Sequence, residues 1–151
     1  MESITAYKNK NYKESFSFIQ QARQWPENLG VGKPYDADID KRLEYWLAYL
    51  NYKAMNRTSD ANKMLDSIIT NSNEVSTTDK YFTNTIITGW SFKQLNKNAE
   101  GENWLQYETK NYADKNIATW IAAPSLNNLP ASLSDKEKLN AEIINNVEVL
   151  L

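Results

Sequence analysis

Hydrophobic residues recur every three or four positions along most of this 151-residue chain, and alternation with a period of two is almost absent. The clearest segment places its apolar residues on one helix face, at Leu43, Trp46, Leu47, Leu50 and Ala54. A stripe of small and apolar residues precedes it and ends before Pro26, at Tyr12, Ser15, Ile19 and Ala22. Because an α-helix has 3.6 residues per turn, this spacing predicts one helix over residues 12–25 and another after the acidic residues 36–40.

The same period continues beyond residue 54. Residues 56–58 interrupt it, and Ser59 is the predicted N-cap of a helix with Ala61, Met64, Leu65 and Ile68 on one face. The polar residues 71–78 predict a connection, followed by a helix from near Thr78 and a turn at residues 96–98. The next helix carries Gly101, Trp104, Leu105 and Glu108.

Two further helices are predicted near the end of the chain. A short one carries Ile117, Trp120 and Ile121 and ends before Pro124. A last amphipathic helix follows a capping box, in which Ser134 and Glu137 would satisfy each other's backbone amides. With only 4 Gly and 4 Pro, the chain is poor in the tight turns of an all-β domain. We therefore predict an all-α protein made of antiparallel helical hairpins.

An internal repeat appears when the turns at Asn56 and Asn96, 40 residues apart, are aligned. Tyr49 then matches Gly89, and the remaining repeat-defining positions pair as Tyr52 with Phe92, Ala61 with Gly101, and Leu65 with Leu105. This order of small, aromatic, small and large apolar residues around a turn resembles the tetratricopeptide repeat. Tyr49 departs from the family, which has a small residue there, so the first full hairpin must splay or repack.

The resemblance implies a right-handed α-solenoid forming a single domain over residues 1–151. Its approximate units are 1–26, 36–72 and 77–110, followed by irregular C-terminal helices over 112–151 that cap the array or dock on another domain. The first helix of the first unit would span only residues 4–9 or lie upstream of this chain. Repeat arrays need such caps because a terminal unit otherwise leaves its apolar face in water.

A second resemblance lies in residues 26–34, Pro-Glu-Asn-Leu-Gly-Val-Gly-Lys-Pro, and residues 45–49, Tyr-Trp-Leu-Ala-Tyr. These segments are similar to the C-terminal helical-repeat region of large Bacteroidetes proteins, whose upstream part is a β-rich domain with a suggested link to carbohydrates. The resemblance implies that the chain is a fragment of a longer bacterial protein. That family supplies no catalytic residues to carry over.

The tetratricopeptide alignment also implies a ligand groove. Its candidate lining residues on the first helices of two consecutive units are Trp46, Leu50, Lys53, Ile86, Trp90 and Lys93. Aromatic side chains at helical spacing are more often core residues, which is the alternative for this set. A row of Trp and Lys along a groove could otherwise hold a peptide by stacking and charge, or a sugar ring.

The composition excludes much catalytic chemistry. The chain has no His and no Cys, so it lacks an imidazole base, a thiolate nucleophile, disulfides and the usual zinc ligands. Asp36, Asp38 and Asp40 cluster, but they precede a helix, where the macrodipole favours acidic residues. Residues 30–33, Gly-Val-Gly-Lys, lack the spacing of a phosphate-binding loop, and Pro34 stands where that loop has Ser or Thr. We predict no catalytic residues, no metal site and no cofactor.

The formal net charge of −2 argues against a nucleic-acid partner. No apolar stretch is long enough to cross a membrane, and nothing near Met1 resembles a signal peptide, so we expect a soluble chain in an unassigned compartment. We predict a non-catalytic protein-interaction or scaffolding module that binds a protein, a peptide or a neighbouring domain. The alternative is an accessory domain of a carbohydrate-related protein that binds glycan or docks a β domain.

Overall fold

The computed structural model describes residues 2–22, 24, 40–74 and 82–111. These residues form six α-helices and no β-strand: α1 (Glu2–Lys8), α2 (Tyr12–Ala22), α3 (Arg42–Ala54), α4 (Thr58–Glu74), α5 (Phe82–Gln94) and α6 (Asn98–Asn111). The all-α class predicted from the hydrophobic period is therefore confirmed for the described part of the chain. The predicted elements over residues 26–34 and 112–151 lie outside the described residues.

Each helix packs against the next one in the chain, and α3 has the most neighbours. It contacts α1, α2, α4 and α5, while α5 also contacts α4 and α6. The buried core follows this arrangement, because residues of α1, α3, α4 and α5 form one cluster: Ile4, Trp46, Tyr49, Leu50, Ala61, Leu65, Ile68 and Ile87. The core is thus built around the helix whose periodicity is clearest in the sequence.

The same turn joins α1 to α2, α3 to α4 and α5 to α6. Its central residue has a left-handed backbone, with φ of 62° at Lys10, 59° at Asn56 and 56° at Asn96. Around Asn56, its own N–H donates to the Lys53 carbonyl at 3.0 Å, and the next N–H donates to the Tyr52 carbonyl at 2.8 Å. The other two turns repeat both hydrogen bonds. This pattern is a Schellman motif, which ends a helix by satisfying its last carbonyls.

The turn geometry corrects the predicted start of α4. The residue after the left-handed one is Arg57, and its carbonyl accepts the N–H of Ala61 at 3.0 Å. Arg57 therefore occupies the N-cap position, and α4 begins at Thr58. The prediction that Ser59 caps this helix is wrong, because the Schellman turn leaves no further connecting residue before the helix starts.

The end of α4 also differs from the prediction. The polar residues from Asn71 onward predict a connection, yet α4 continues to Glu74. Asn71 and Ser72 are buried, and the Asn71 Oδ1 atom accepts the backbone N–H of Lys41 at 3.0 Å. Ser72 Oγ lies 3.2 Å from the indole Nε1 of Trp104, which donates to it. Tertiary hydrogen bonds thus stabilise a helical end that the polar sequence does not predict.

The contact between α5 and α6 depends on Gly101. A Cβ atom added at Gly101 would lie 2.9 Å from the Cβ of Phe92 and 3.2 Å from its Cγ. The two helices therefore approach too closely for any larger residue without a shift of the Phe92 side chain. At the equivalent positions of the other two turns, Ser15 and Ala61 are also small and are buried.

Replacing Gly101 by alanine should destabilise the protein, although the same change in an open helix position stabilises it by about 1 kcal/mol. We expect Gly101→Ala to lower the free energy of unfolding by about 1–2 kcal/mol, because overpacking outweighs the helix propensity. Urea denaturation followed by far-UV circular dichroism measures this change. The control is Asn103→Ala at an exposed position of the same helix, which should leave stability unchanged or raised. A stabilised Gly101→Ala variant would contradict the close contact.

Candidate binding surface on α3 and α5

The six predicted groove residues occupy equivalent positions on two helices in contact. Lys53 and Lys93 each lie three residues before the left-handed residue of their turn, and both side chains are exposed. Trp90 is half-buried against the core cluster. Because α3 contacts α5, these three residues can contribute to one surface. Lys53, Trp90 and Lys93 are therefore the members of the predicted set that a ligand could reach.

The other three predicted groove residues are core residues. Trp46 and Ile86 have 0 % of their surface exposed, and Leu50 has 2 %. The expectation that they face an open groove is corrected, because α3 is surrounded by four helices and the inner side of α5 is covered by α3. These side chains support the surface from beneath and cannot contact a ligand in this structure.

Aromatic packing links the core to the exposed surface. The Trp46 ring lies 4.9 Å from the Tyr49 ring and 5.6 Å from the Trp90 ring, measured between centroids and tilted in both cases. Such tilted pairs add roughly 0.5–1.5 kcal/mol beyond area burial. The Lys53 ammonium lies over the Tyr49 ring at 5.6 Å from its centroid. The half-buried Trp90 is therefore held from below by Trp46, and Lys53 is held by Tyr49.

A buried ion pair at the start of α3 is absent from the predicted set. Arg42 is 1 % exposed, and its Nε and Nη2 atoms donate to the two carboxylate oxygens of Asp40 at 2.9 and 2.6 Å. Asp40 Oδ1 also accepts the backbone N–H of Arg42 at 3.2 Å. The sequence predicts that Asp40 only interacts favourably with the helix macrodipole. In the structure, both of its carboxylate oxygens also accept hydrogen bonds from the buried guanidinium of Arg42.

This ion pair also connects α3 to α5. Arg42 Nη1 donates to Thr88 Oγ1 at 3.1 Å, and Thr88 Oγ1 donates to the Asn84 carbonyl at 2.9 Å. Burial raises the pKa of Asp40, but hydrogen bonds and charge from Arg42, together with the Asn84 amide, outweigh burial and lower the pKa below its usual value. The carboxylate is thus kept ionised inside the protein by two helices.

A second buried polar group connects α3 to the first two helices. Asn51 is 1 % exposed, and its Nδ2 donates to Ser15 Oγ at 3.0 Å and to the Leu47 carbonyl at 2.9 Å. Ser15 Oγ is 3.3 Å from Ser3 Oγ. The Phe16 and Tyr52 rings pack beside this network with centroids 5.1 Å apart. Polar groups on both ends of α3 therefore determine its position.

The repeat-defining residues lie at the helix contacts. Ala61, Leu65, Gly89 and Phe92 are buried, and Tyr52, Gly101 and Leu105 are half-buried. Tyr49, which replaces the family's small residue, is also buried and donates from its hydroxyl to Gln94 Oε1 at 3.1 Å. The protein accommodates the large ring at this position by repacking it against α5.

Within residues 2–22, 40–74 and 82–111, no three acidic side chains come together in a way that could hold a metal ion. The helices of this part are all too short or too polar to cross a membrane. No protein-family model, curated protein or solved structure matches the chain.

Removing the buried guanidinium should be strongly destabilising. We expect Arg42→Met to lower the free energy of unfolding by about 3 kcal/mol or more, because it leaves the Asp40 carboxylate buried without its partner. The matched control is Lys63→Met on α4, whose side chain is 69 % exposed and whose ion pair with Asp60 should contribute little. Chemical denaturation at pH 7 measures the free energy of unfolding of both variants. Equal losses would show that the buried pair of Arg42 and Asp40 contributes no more to stability than an exposed lysine does.

The same pair predicts a pH dependence. The pKa of Asp40 is lower in the folded protein than its ordinary value of 3.8, so its contribution to stability is complete above about pH 4. This contribution is lost as the pH falls further, through the lowered pKa. The stability difference between wild type and Asp40→Asn should therefore be large at pH 6 and shrink below pH 4. A difference that stays constant from pH 6 to pH 2.5 in urea titrations would contradict this assignment.

Proposed function

We propose that the chain is a non-catalytic protein-interaction module of the tetratricopeptide type, which binds an acidic peptide segment of a partner or a neighbouring domain. The observation that carries the proposal is the recurrence of one turn, with the same two hydrogen bonds, at Lys10, Asn56 and Asn96. Repeated units with equivalent positions are the basis on which helical repeats build extended binding surfaces.

The order of helix contacts supports a repeat array. The first helix of each pair contacts the first helix of the next, since α1 contacts α3 and α3 contacts α5. The second helix of a pair contacts the following pair through α2 with α3 and α4 with α5. These contacts are those expected for stacked hairpins, in which equivalent side chains form a row across successive units.

The chemistry of the exposed row favours an acidic ligand. Lys53 and Lys93 lie on helices whose axes are roughly 8–10 Å apart if they pack as ordinary neighbouring helices do. Trp90 lies one turn before Lys93 and offers a partly exposed aromatic face. Two ammonium groups beside an indole can bind carboxylates and an apolar side chain of the same peptide.

The proposal assigns no catalytic role to the acidic cluster that precedes α3. The chain has no His or Cys. Asp40, the described member of the acidic cluster, is engaged on both carboxylate oxygens by Arg42. A carboxylate so held stabilises the fold and is a poor general base because its pKa is lowered.

Charge reversal on the exposed row tests the proposal. The wild-type full chain and the double variant Lys53→Glu/Lys93→Glu would be compared against an arrayed peptide library graded in acidic and aromatic content. We expect acidic peptides to bind at least about tenfold more weakly to the variant, because each reversal replaces an attraction of about 1 kcal/mol by repulsion. Circular dichroism should show unchanged helicity, since both lysines are exposed.

The control is Lys13→Glu/Lys63→Glu, which changes the net charge equally at exposed positions of α2 and α4. It should bind the peptides as the wild type does. Equal weakening in both double variants would indicate only general electrostatics and contradict the surface. A saturable response to an oligosaccharide panel, with none to peptides, would favour the carbohydrate-related alternative.

A further inference from the structure

A small pocket adjoins the exposed row of Lys53, Trp90 and Lys93. Its volume is about 150 Å³, and it lies between α5 and α6. Lys93 belongs to the row and also lines the pocket, so the pocket continues the row on its α6 side. Lys53 lies on α3, which contacts α5. A ligand that crosses from α3 towards α6 therefore meets Lys53, then Lys93, and then the pocket.

The walls of the pocket are mainly apolar. Gly89 and Phe92 of α5 are buried, and Trp104 and Leu105 of α6 are half-buried. Gly89 and Gly101 contribute no side chain, which leaves room between the two helices. An apolar cavity of about 150 Å³ is large enough for a benzene molecule. The pocket can therefore hold one apolar side chain of about the size of leucine.

Two of these walls are held in place by contacts within the protein. The Phe92 and Trp104 rings pack with their centroids 5.7 Å apart. The Trp104 indole also donates to Ser72 Oγ of α4 at 3.2 Å. Because the rings are fixed before a ligand arrives, little conformational entropy is lost when a side chain enters between the helices.

The rim of the pocket carries charges of opposite sign on its two sides. Lys93 lies on the α5 side, Asn98 and Glu102 lie on the α6 side, and all three are exposed. A ligand carboxylate is attracted by Lys93 and repelled by Glu102. The rim therefore favours a ligand whose acidic residues lie only on the α5 side of the bound apolar side chain.

We propose that the pocket binds a leucine-sized aliphatic side chain at the end of the acidic peptide segment. The site rests on the proposed function, because it is a subsite of the surface formed by Lys53, Trp90 and Lys93. In an extended peptide, residues two apart lie on one face with a spacing of about 7 Å. Two carboxylates and a leucine at alternate positions can thus face Lys53, Lys93 and the pocket together.

The probe is the acetylated and amidated peptide Glu-Ser-Glu-Ser-Leu-Ser, titrated into the ¹⁵N-labelled full chain. Its partner has alanine in place of leucine. We expect the alanine peptide to bind about five- to tenfold more weakly, because it removes less apolar surface from water in a partly open pocket. The leucine peptide should also shift the amide signals of Gly89 and Gly101, which line the pocket.

The titrations separate failure of the subsite from failure of the proposed function. If neither peptide binds, or if Lys53→Glu/Lys93→Glu leaves their binding unchanged, the peptide surface itself is wrong and the subsite with it. If both peptides bind with equal affinity and the double variant weakens both, the surface is supported and the pocket assignment is overturned.

Filling the pocket from within should remove the preference for leucine. In Gly89→Leu the new side chain would occupy the space that the ligand needs, so both peptides should bind equally. The matched control is Ala99→Leu, which adds the same side chain at an exposed position of α6 outside the pocket and should keep the preference. A folded Gly89→Leu protein that still prefers the leucine peptide overturns the proposal.

The rim charge gives a test that does not depend on the folding of Gly89→Leu, because Glu102 is exposed. A peptide with glutamate after the leucine should bind the wild type about two- to fivefold more weakly than the first probe, the size of an exposed charge contact. Glu102→Gln should remove this difference, whereas Glu100→Gln, at an exposed position outside the pocket, should keep it. A difference that persists in Glu102→Gln, or disappears equally in both variants, overturns the placement of the leucine beside Glu102.

Discussion

Helix α3 contacts α1, α2, α4 and α5, so the polar side chains that it buries depend on partners inside the protein. Arg42 finds them at the N-terminal end through Asp40 and Thr88. The side-chain nitrogen of Asn51 finds one near the C-terminal end in Ser15, whereas Asn51 Oδ1 and the Trp46 indole nitrogen are buried without a hydrogen-bond partner. A buried guanidinium or amide without such partners would cost several kcal/mol. The position of α3 relative to its neighbours is therefore determined by directional hydrogen bonds as well as by apolar burial.

The recurring turn provides a second, local constraint. Asn tolerates the left-handed backbone better than most residues, which suits Asn56 and Asn96, whereas Lys10 adopts it without that advantage. Because the turn is the same each time, equivalent positions in the three helix pairs can carry different side chains without changing the backbone. Ser3, Tyr49 and Gly89 illustrate this freedom, since they give a hydroxyl contact, a packed ring and an open pocket.

Burial of the apolar side chains in the core determines which residues remain on the exposed surface. Trp46, Leu50 and Ile86 are buried, so the aromatic groove inferred from the repeat is reduced to Trp90 and the two lysines. Charge then becomes a larger part of any recognition by this face, which is why an acidic partner is proposed. Lys93 of this row also lines an apolar pocket between α5 and α6.

The amino-acid sequence by itself determined the helical class, because the 3.6-residue period of apolar positions from Leu43 to Ala54 has no other regular solution. It also located the turns at Asn56 and Asn96, since those residues favour left-handed backbone. The prediction leaves the first helix open between residues 4–9 and a position upstream, and the structure places it at Glu2–Lys8.

Tertiary structure decided the rest. The hydrogen bond from Arg42 to Thr88 joins residues 46 positions apart, and periodicity carries no information on such a partner. The continuation of α4 through Asn71 depends on the distant Lys41 amide. Whether Trp46 faces a ligand or the core depends on how many helices surround α3. The pocket beside Gly89 exists only because Phe92, Trp104 and Leu105 also line it. A sequence pattern determines which face of a helix is apolar, whereas only packing determines what covers that face.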